Sequence, residues 1–476
     1  MAAEVREVDL VVIGAGPVGE NVADRAVKGG LETVIVENEL VGGECSYWAC
    51  MPSKALLRPV QVLSAARALP GVAEAVTGDL DVAAVLRRRD SFTSDWSDDG
   101  QVSWLESAGI GLVRGRGRLS GEREVTVTAE DGSTTVLRAR HAVAVATGSV
   151  PNLPDIPGLY EAKPWSSREA TSATEIPDSL AIIGGGVVAL EMATAYAGFG
   201  ATVKVIAKGG LLGSVEPFAA ERVAQSLRSQ GVEIFTDTET SRVDRTGDGV
   251  RIETTAGPIT ADEVLVATGR TPATADLGLE TVGLEPGRRL ATDDTLRVDG
   301  FDWLYAVGDV NGRVLLTHQG KYQARAAGDV IAARAAGRPV DDAPWGAHAA
   351  TADHDAVPQV VFTDPEVAAV GPTADQARAQ GKSIRVVDYD LGGVAGAGLT
   401  RDGYQGAARM IVDEDRGVMI GVTFVGPDVA ELLHAATTAI VGEVPLDRLW
   451  HAVPSYPTVS EIWLRLLEAY GRPSSA

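Results

Sequence analysis

Cysteine is nearly absent from this sequence, because a chain of 476 residues contains only Cys45 and Cys50, with four residues between them. So few cysteines exclude a small scaffold that is held together by several disulfides. The pair could be a structural staple, two buried thiols or a redox couple. A bridge across four residues removes little conformational entropy from the unfolded chain, which weakens the first interpretation. Their position beside a nucleotide-binding motif, described below, favours the redox couple.

Long apolar runs are also absent. No segment approaches the roughly 18 apolar residues that a membrane-spanning helix needs, and the first residues show neither an apolar signal region nor a cleavage site. Basic residues are few, since 42 Lys and Arg stand against 65 Asp and Glu, a net charge of −23. That charge argues against nucleic acid or an anionic membrane as partner. We therefore expect a cytoplasmic protein, in which a disulfide is more often catalytic than structural.

A glycine-rich turn between two apolar strands precedes the cysteines. Leu10–Ile13 and Thr33–Val36 have the continuous apolar pattern of strands that are buried on both faces. Glycines between them allow a sharp turn and let a pyrophosphate approach a helix N-terminus, while an acid after the second strand can bind an adenosine ribose hydroxyl. The residues that predict this dinucleotide site are Gly14, Gly16, Pro17, Gly19 and Glu37.

The same layout occurs a second time. Leu180–Ile183 leads into Gly184-Gly185-Gly186, and a second strand, Thr202–Ile206, ends at Ala207. Each copy is followed by an apolar strand and an Ala-Thr-Gly turn, at residues 146–149 and 267–270. This internal repeat predicts two bound dinucleotides, the alternative being that one copy is degenerate.

The two copies differ at the position that contacts the ribose. The first ends on Glu37, whereas the second ends on Ala207 followed by Lys208. An acid would repel a 2′-phosphate and a cation attracts it, so the second site favours NADPH, with NADH as the alternative. Lys208 could also be an ordinary solvated lysine.

The cysteine spacing makes a prediction about the backbone. On an unbroken helix, residues i and i+5 lie about 7.5 Å apart along the axis, whereas a disulfide needs Cα atoms about 4.4–6.8 Å apart. A bond between Cys45 and Cys50 therefore requires the chain to bend between them, before the helix predicted at Ala55–Ala66. Short antiparallel strands are predicted further on, at Val113–Gly117 and Val125–Thr128.

Several motifs, in this order, resemble the FAD-dependent pyridine nucleotide-disulfide oxidoreductases, the family of dihydrolipoamide dehydrogenase, glutathione reductase and mercuric reductase. They are Gly14–Gly19, Cys45-x4-Cys50-Met-Pro-Ser-Lys54, Ala146–Ser149, Gly184–Glu191, Ala267–Arg270, Tyr305–Asp309 and, for the family's dimerisation domain, Val357–Glu366. The resemblance implies an α/β fold with two Rossmann-like dinucleotide-binding domains and a C-terminal α+β dimerisation domain in a homodimer. The implied boundaries are 1–150 with 275–345 for FAD, 151–274 for NAD(P) and 346–476 for dimerisation.

The resemblance also implies site residues, and no metal ligands. Cys50 would be the cysteine next to the flavin, Cys45 the one that attacks the substrate, and Lys54 would pair with Glu191 beside the flavin. The implied FAD residues are Gly14, Gly16, Pro17, Gly19, Glu37, Gly42, Gly43, Gly117, Thr147, Gly148, Ser149, Asp309 on the ribityl chain, and Leu316, Thr317 and His318. The implied nicotinamide nucleotide residues are Gly184, Gly186, Ala189, Lys208, Gly269 and Arg270.

Two departures from the family pattern bear on the substrate. Glu44 replaces a usual threonine. More importantly, Tyr456-Pro-Thr-Val-Ser-Glu461 replaces a motif that begins with the histidine acid–base, and a phenol titrates far above neutrality. His451 lies nearby but is more often structural in such a position. Tyr456 could donate a hydrogen bond to a thiolate or substrate while Glu461 accepts one from its hydroxyl.

Three functions follow from this site. The first is an NAD(P)H-dependent reductase of an unidentified small disulfide, preferably one whose thiol has a low pKa. The alternative is a flavin-dependent reductase of quinones or metal ions, similar to mercuric reductase; however, the tail Tyr470–Ala476 lacks that enzyme's second cysteine pair. A third, a regulatory protein that keeps FAD for structure only, is disfavoured by the intact cysteine pair.

Overall fold

The computed structural model describes residues 4–247 and 249–472, so the last part of the tail Tyr470–Ala476 lies outside the described residues. Its strands are β1 (Glu4–Ile13), β2 (Thr33–Glu37), β3 (Gly111–Arg114), β4 (Arg116–Gly121), β5 (Glu124–Thr128), β6 (Thr134–Val145), β7 (Ser149–Pro151), β8 (Ser179–Ile183), β9 (Thr202–Ile206), β10 (Glu233–Phe235), β11 (Thr240–Thr246), β12 (Gly249–Thr254), β13 (Gly257–Ala261), β14 (Glu263–Val266), β15 (Arg270–Pro272), β16 (Leu304–Ala306), β17 (Pro358–Val361), β18 (Glu366–Val370), β19 (Ile384–Asp390), β20 (Ala407–Asp413) and β21 (Val418–Gly426).

The α-helices are α1 (Pro17–Lys28), α2 (Gly43–Tyr47), α3 (Cys50–Arg67), α4 (Val82–Phe92), α5 (Asp99–Ser107), α6 (Ser167–Ser172), α7 (Val187–Gly198), α8 (Pro217–Ser229), α9 (Thr317–Ala335), α10 (Ala352–Asp355), α11 (Ala374–Ala379), α12 (Ala395–Thr400), α13 (Leu433–Val441), α14 (Leu446–Leu449) and α15 (Ile462–Tyr470). None of the helices in the described ranges is long and apolar enough to cross a membrane.

The described chain divides into two compact units. The first comprises the stretch up to Pro52, Asp90–Asn152 and Arg270–His354, and the second comprises Ser53–Arg89, Leu153–Gly269 and the chain from Asp355 onward. The domain boundaries predicted from the sequence stay a prediction.

The first unit is built on a sheet whose strand order is β3-β2-β1-β6-β5-β4, with β16 also pairing with β6. Strands β3, β2, β1, β6 and β16 run parallel, whereas β5 pairs antiparallel with both β4 and β6. In β1, Leu10 and Val12 face one core with α1 and α9, and Val11 and Ile13 face a second core on the other side. Burial on both faces explains the continuous apolar run in the sequence.

The second unit repeats this strand order as β10-β9-β8-β14, all parallel, beside a three-stranded antiparallel sheet β11-β12-β13. It also contains the antiparallel sheet β17-β18-β21-β20-β19, whose core includes Phe424 and is covered by α13 and α15. The predicted fold class, two Rossmann-type units and a C-terminal α+β domain, is therefore confirmed.

Two local predictions were wrong in detail. The segment Val113–Gly117 is not one antiparallel strand, because Gly115, with φ of +141°, separates β3, which runs parallel to β2, from β4, which pairs antiparallel with β5. The sequence also predicts a helix from Ala430 to Val441, which in the structure begins at Leu433, after a 3₁₀ turn at Val429–Leu432.

Candidate active site

The two cysteines lie on different helices that meet at a bend. Helix α2 ends at Tyr47, and Trp48 leaves the helical conformation with φ of −136° before α3 begins at Cys50. The bend predicted from the cysteine spacing is therefore confirmed. Both cysteine side chains are half-buried.

Helix α9 supplies the groups next to the cysteines. The Sγ atom of Cys50 lies 3.3 Å from Oγ1 of Thr317, the first residue of α9. The neighbouring Cys50 thiol and burial raise the pKa of Cys45, while Thr317 and Lys321 act in the opposite direction. The N-terminus of α9 therefore lies beside Cys50, and a helix N-terminus is a feature that stabilises a nearby thiolate.

The turn before α1 has room for a phosphate group. A Cβ on Gly14, whose φ is +103°, would lie 2.5 Å from the Ala146 carbonyl oxygen, and one on Gly19 would lie 1.9 Å from the Gly14 oxygen. A Cβ on Gly16 would meet nothing within 4 Å, so the N-terminus of α1, which begins at Pro17, is open to a ligand. Gly14 and Gly19 allow the close packing of the turn, and Gly16 lets a diphosphate approach the helix.

Glu37 lies at the edge of a cavity of about 730 Å³. Its carboxylate accepts hydrogen bonds from the backbone N–H groups of Ala15 and Glu39, both at 2.8 Å, and burial raises its pKa. Arg114 and Gly115 also line the cavity. A cavity of this size beside an acid and an open helix N-terminus fits the ADP part of FAD. A Cβ on the predicted Gly117 would lie 3.0 Å from Val36 Cγ1, and its approach to the adenine stays a prediction.

The remaining predicted FAD residues also belong to the first unit. Gly42 and Gly43 adopt positive φ at the start of α2, and Gly148 adopts positive φ in the Ala-Thr-Gly-Ser turn. Thr147 donates a hydrogen bond to the Ala273 carbonyl oxygen. Leu316 is the N-cap of α9, and His318 is exposed on its first turn.

Asp309 ends a chain of polar contacts that starts at Glu44. The Ser149 hydroxyl donates to Asp309 Oδ2 at 2.5 Å, and the Arg270 guanidinium donates to the Ser149 hydroxyl at 2.7 Å and to its carbonyl oxygen at 2.6 Å. Arg270 Nη2 also lies 3.8 Å from Glu44 Oε2. The unusual acid therefore has a cation near it, and Arg270, predicted from its motif to serve the nicotinamide nucleotide, contacts the residues that are predicted to serve FAD.

We expect Arg270→Met to weaken FAD binding about 10- to 100-fold, because it removes two hydrogen bonds that orient Ser149 towards Asp309 and the cation that lies 3.8 Å from Glu44. The matched variant Glu44→Gln keeps both hydrogen bonds to Ser149 and weakens an ion pair of 3.8 Å that is partly exposed, so it should change affinity by no more than about 3-fold. Flavin fluorescence during reconstitution of the apoprotein measures the dissociation constant of FAD for both variants. A larger loss in Glu44→Gln than in Arg270→Met would contradict this assignment.

The second glycine turn, in the second unit, has the same construction. A Cβ on Gly184, whose φ is +136°, would lie 2.3 Å from the Ala267 oxygen, and one on Gly186 would meet nothing within 4 Å at the start of α7. Ala189 is buried on α7, and Gly269 has φ of +114°. These residues fit a second dinucleotide. Lys208 is well exposed and forms an ion pair with Glu239 at 2.9 Å.

Lys54 and Glu191 form the ion pair that the resemblance implied. The Lys54 Nζ donates to Glu191 Oε2 at 2.7 Å, and the Phe362 N–H donates to the other carboxylate oxygen at 3.0 Å. The ammonium also lies 4.9 Å from the centre of the Phe362 ring. The Glu191 side chain is 4% exposed and that of Lys54 is 35% exposed, so the carboxylate depends on this partner more than the ammonium does.

The C-terminal motif has one exposed and one buried member. Tyr456 is 76% exposed, and His451 is also exposed. Glu461 is buried, with Oε1 accepting from Arg465 at 2.5 Å and Oε2 accepting no hydrogen bond from the described part of the chain. Within one chain, therefore, Tyr456 does not donate to Glu461.

Glu20 was missed by the sequence analysis. It is only 9% exposed on α1, and its Oε1 accepts no hydrogen bond from any described residue. Burial raises its pKa to about 7, with Lys321 opposing and Glu37 reinforcing the shift. An acid in the first turn of a helix is common and usually solvated, so its burial against other elements had no signal in the sequence.

The raised pKa of Glu20 makes the protein less stable as pH rises. The folded state keeps the proton on Glu20 to a higher pH than the unfolded state does. The contribution of the protonated Glu20 to the free energy of unfolding is therefore fully present below the unfolded pKa of 4.5, and it is lost as the pH rises from there to about 7. The full loss in the free energy of unfolding is about 3 kcal/mol. We therefore expect Glu20→Gln to melt at a higher temperature than wild type at about pH 8 but not at about pH 5. Equal shifts at both pH values would contradict a titrating Glu20.

Comparison with known proteins gives the same picture along the whole chain. The model of the family described as pyridine nucleotide-disulphide oxidoreductase matches residues 8–327, and the model of its dimerisation domain matches residues 357–466. The chain is 32% identical over 461 residues to the dihydrolipoyl dehydrogenase of Chlamydia trachomatis serovar D, covering 96% of this chain and 95% of that protein.

Two solved structures are similar over nearly their full length. The Cu(II) complex of the HOCl-induced flavoprotein disulfide reductase RclA from Escherichia coli has a TM-score of 0.83 at 24% identity, covering 97% of this chain and 99% of that one, which shows a shared fold. LpdA from Mycobacterium tuberculosis has a TM-score of 0.82 at 26% identity and covers 98% of this chain and 100% of its own.

Proposed function

This chain belongs to the pyridine nucleotide-disulphide oxidoreductase family, and on that premise we propose that it is an NADPH-dependent reductase of a small disulfide, with Cys45 and Cys50 as its redox pair. Membership makes it an FAD- and NAD(P)-dependent oxidoreductase that acts on a sulfur group and dimerises through its C-terminal domain. The observation that carries the proposal is the convergence of both cysteines on the first turn of α9 at Thr317, in the unit that holds the FAD-type cradle.

The chain's own residues perform the sulfur chemistry. FAD, when bound, supplies a carrier that passes two electrons from the nicotinamide to sulfur. With the pair reduced, Cys45 attacks one sulfur of the substrate, and a mixed disulfide forms as the first thiol leaves. Cys50 then attacks the Cys45 sulfur, which restores the pair and releases the second thiol. Thr317 and the N-terminus of α9 stabilise negative charge on Cys50 between these steps.

The substrate class follows from the C-terminal motif. Tyr456 replaces a histidine, and a phenol is a poor proton acceptor at neutral pH. A disulfide whose thiols have low pKa values leaves with little proton assistance. In the homodimer, the exposed Tyr456 and the unsatisfied Oε2 of Glu461 would complete the site of the other subunit. A cytoplasmic location stays a prediction.

Reductive titration of the purified yellow protein tests the proposal. We expect each subunit to accept about four electrons, two at FAD and two at the cysteine pair, with long-wavelength absorbance once the first two have been added. Uptake of about two electrons, without that absorbance, would show that the cysteines do not exchange electrons with FAD.

A reductase of quinones or metal ions is the second candidate, and the loss of the histidine favours it, because direct electron transfer to such acceptors needs no acid–base for a leaving thiol. Steady-state assays with a small-disulfide panel and a quinone panel separate the two. Quinone reduction without turnover of any disulfide would favour the second candidate.

We expect NADPH to be used about 10-fold more efficiently than NADH, because Lys208 follows Ala207 where a 2′-phosphate would bind and no acid occupies the ribose position. Lys208→Ala should raise the KM for NADPH and leave that for NADH unchanged. Its ion-pair partner provides the control, since Glu239→Gln frees the ammonium and should lower the KM for NADPH. Better use of NADH by the wild type would refute the preference.

A further inference from the structure

A buried carboxylate contacts the first two turns of α9. Asp353 lies on α10, and its side chain is 1% exposed. Gln319 Nε2 donates to Asp353 Oδ1 and Gln323 Nε2 donates to Oδ2, both at 2.9 Å. The two glutamines are four residues apart and therefore share one face of α9. Arg313 Nε lies 3.0 Å from Oδ2 and balances the charge of the carboxylate. Asp353 thus fixes the start of α9 through both of its oxygens.

Gln323 connects that carboxylate to the 3₁₀ turn Asp309–Asn311. The Gln323 side chain is fully buried, and its Oε1 accepts from the Gly308 N–H and from Asn311 Nδ2, both at 2.9 Å. A Cβ on Gly320 would lie 3.4 Å from the Gly308 Cα, so α9 also packs closely on the backbone at the start of this turn. The position of α9 relative to the turn therefore depends on Gln323.

The direction of these hydrogen bonds requires an acceptor at residue 353. The Gly308 N–H can only donate, so it holds the Oε1 of Gln323 towards the turn and its Nε2 towards Asp353. A carboxylate accepts at both oxygens. An asparagine would instead place an N–H group against Gln319 or Gln323, both of which already donate there. Turning over the Gln323 amide would only move the conflict to Gly308.

The helix that this network holds begins beside the reactive sulfur. Thr317 is the first residue of α9, and its Oγ1 lies 3.3 Å from Cys50 Sγ. Gln319 is in the same first turn, and Lys321, which favours ionisation of Cys45, is in the next one. Stabilisation of a charge by a helix terminus falls off within about one turn. A small displacement of α9 would therefore weaken the stabilisation of a thiolate on Cys50.

We propose that Asp353 is a positioning residue of the thiol–disulfide reaction, which holds the N-terminus of α9 against Cys50 and so stabilises the Cys50 thiolate. It acts through Gln319 and Gln323, and no bond changes at its own atoms. The inference rests on the proposed function, in which Cys50 carries negative charge between the two sulfur steps. Its measurable consequence is the pH at which Cys50 ionises.

Asp353→Asn in a Cys45→Ser background tests the inference, because Cys50 is then the only cysteine of the chain. The rate at which iodoacetamide alkylates the holoenzyme, followed against pH, gives the pKa of that thiol. Loss of a nearby negative charge would by itself lower a thiol pKa. Release of α9 from Cys50 raises it. We expect the second effect to dominate and the pKa to rise by about one unit, which is about 10-fold less thiolate at a given pH.

Asp294→Asn is the matched control. Its carboxylate accepts from Arg313 Nη2 at 2.6 Å, so it belongs to the same charge cluster, but it is 40% exposed and accepts from neither glutamine. This variant should change the amount of Cys50 thiolate by no more than about 2-fold. The double variant Asp353→Asn/Gln323→Glu restores a matching donor and acceptor, because the new carboxylate accepts from residue 353 and from Gly308. It should bring the pKa back towards that of the parent.

A fall or no change in the Cys50 pKa of Asp353→Asn, or an equal rise in Asp294→Asn, would overturn the role of Asp353. If Asp353→Asn does not fold, Gln319→Met removes one of the two hydrogen bonds and no charge. It should give a smaller rise, and an unchanged pKa there would equally overturn the role. If the wild type reduced no disulfide, the proposed function would fail, and the alkylation profiles would still decide whether Asp353 acts on Cys50 through α9.

Discussion

Cys45→Ser should lose disulfide reduction by a factor on the order of 10³ or more, because the variant has no nucleophile to form the mixed disulfide. Hydride transfer from NADPH does not need that sulfur, so the variant should still reduce a quinone acceptor at close to the wild-type rate. Stopped-flow measurement of flavin reduction, followed by separate assays with a disulfide and a quinone, resolves the two half-reactions. Disulfide turnover that survived in Cys45→Ser would contradict the assigned roles.

Cys50→Ser is the matched control for that experiment. It also loses disulfide turnover, since the pair can no longer form, but the two variants should differ in absorbance. Cys45→Ser leaves the Cys50 sulfur beside Thr317 and the N-terminus of α9, where a thiolate is stabilised, so long-wavelength absorbance should be present even before reduction. Cys50→Ser should lack it. Absorbance in Cys50→Ser and none in Cys45→Ser would mean that Cys45, and not Cys50, is the cysteine next to the flavin.

Much of the fold could be predicted because the dinucleotide-binding unit has a strong local pattern. Continuous apolar strands such as Leu10–Ile13 record burial on both faces, and the glycines that follow are required by backbone conformation and close packing at Gly14 and Gly184. The bend between Cys45 and Cys50 followed from the Cα spacing that a disulfide allows, which is shorter than the rise of five residues along a helix. Features of this kind depend on neighbours in the chain.

The features that were missed depend on neighbours in space. Glu20 resembles a helix-capping acid, and only the packing of α1 against α2 and α9 makes it a buried carboxyl group. The pairing of Glu44 with Arg270 joins residues far apart in sequence, so the sequence showed an acid in an unfavourable place without its cation. Gly115, which also lines the cavity at Glu37, has a positive φ and separates β3 from β4.

The stability of the protein should respond very differently to replacement of Lys54 and to replacement of Glu191, which form an ion pair. Lys54→Met leaves a 4% exposed carboxylate whose remaining hydrogen bond from the described residues comes from the Phe362 N–H, and we expect a loss of about 3 kcal/mol in the free energy of unfolding of the second unit. Glu191→Gln leaves an ammonium that is 35% exposed and can be hydrated, so its cost should be about 1 kcal/mol. Differential scanning calorimetry should therefore show a melting temperature that is roughly 5–10 °C lower in Lys54→Met than in the wild type.

The double variant Lys54→Met/Glu191→Gln identifies the cause of that difference. If the loss in Lys54→Met comes from an uncompensated buried charge, neutralising Glu191 should recover most of it, and the two single changes should be strongly non-additive. If the loss comes instead from contacts of the lysine stem with the Phe362 ring, the double variant should be no more stable than Lys54→Met. Amide exchange at Phe362 reports the same distinction locally, because its N–H donates to the Glu191 carboxylate in the wild type.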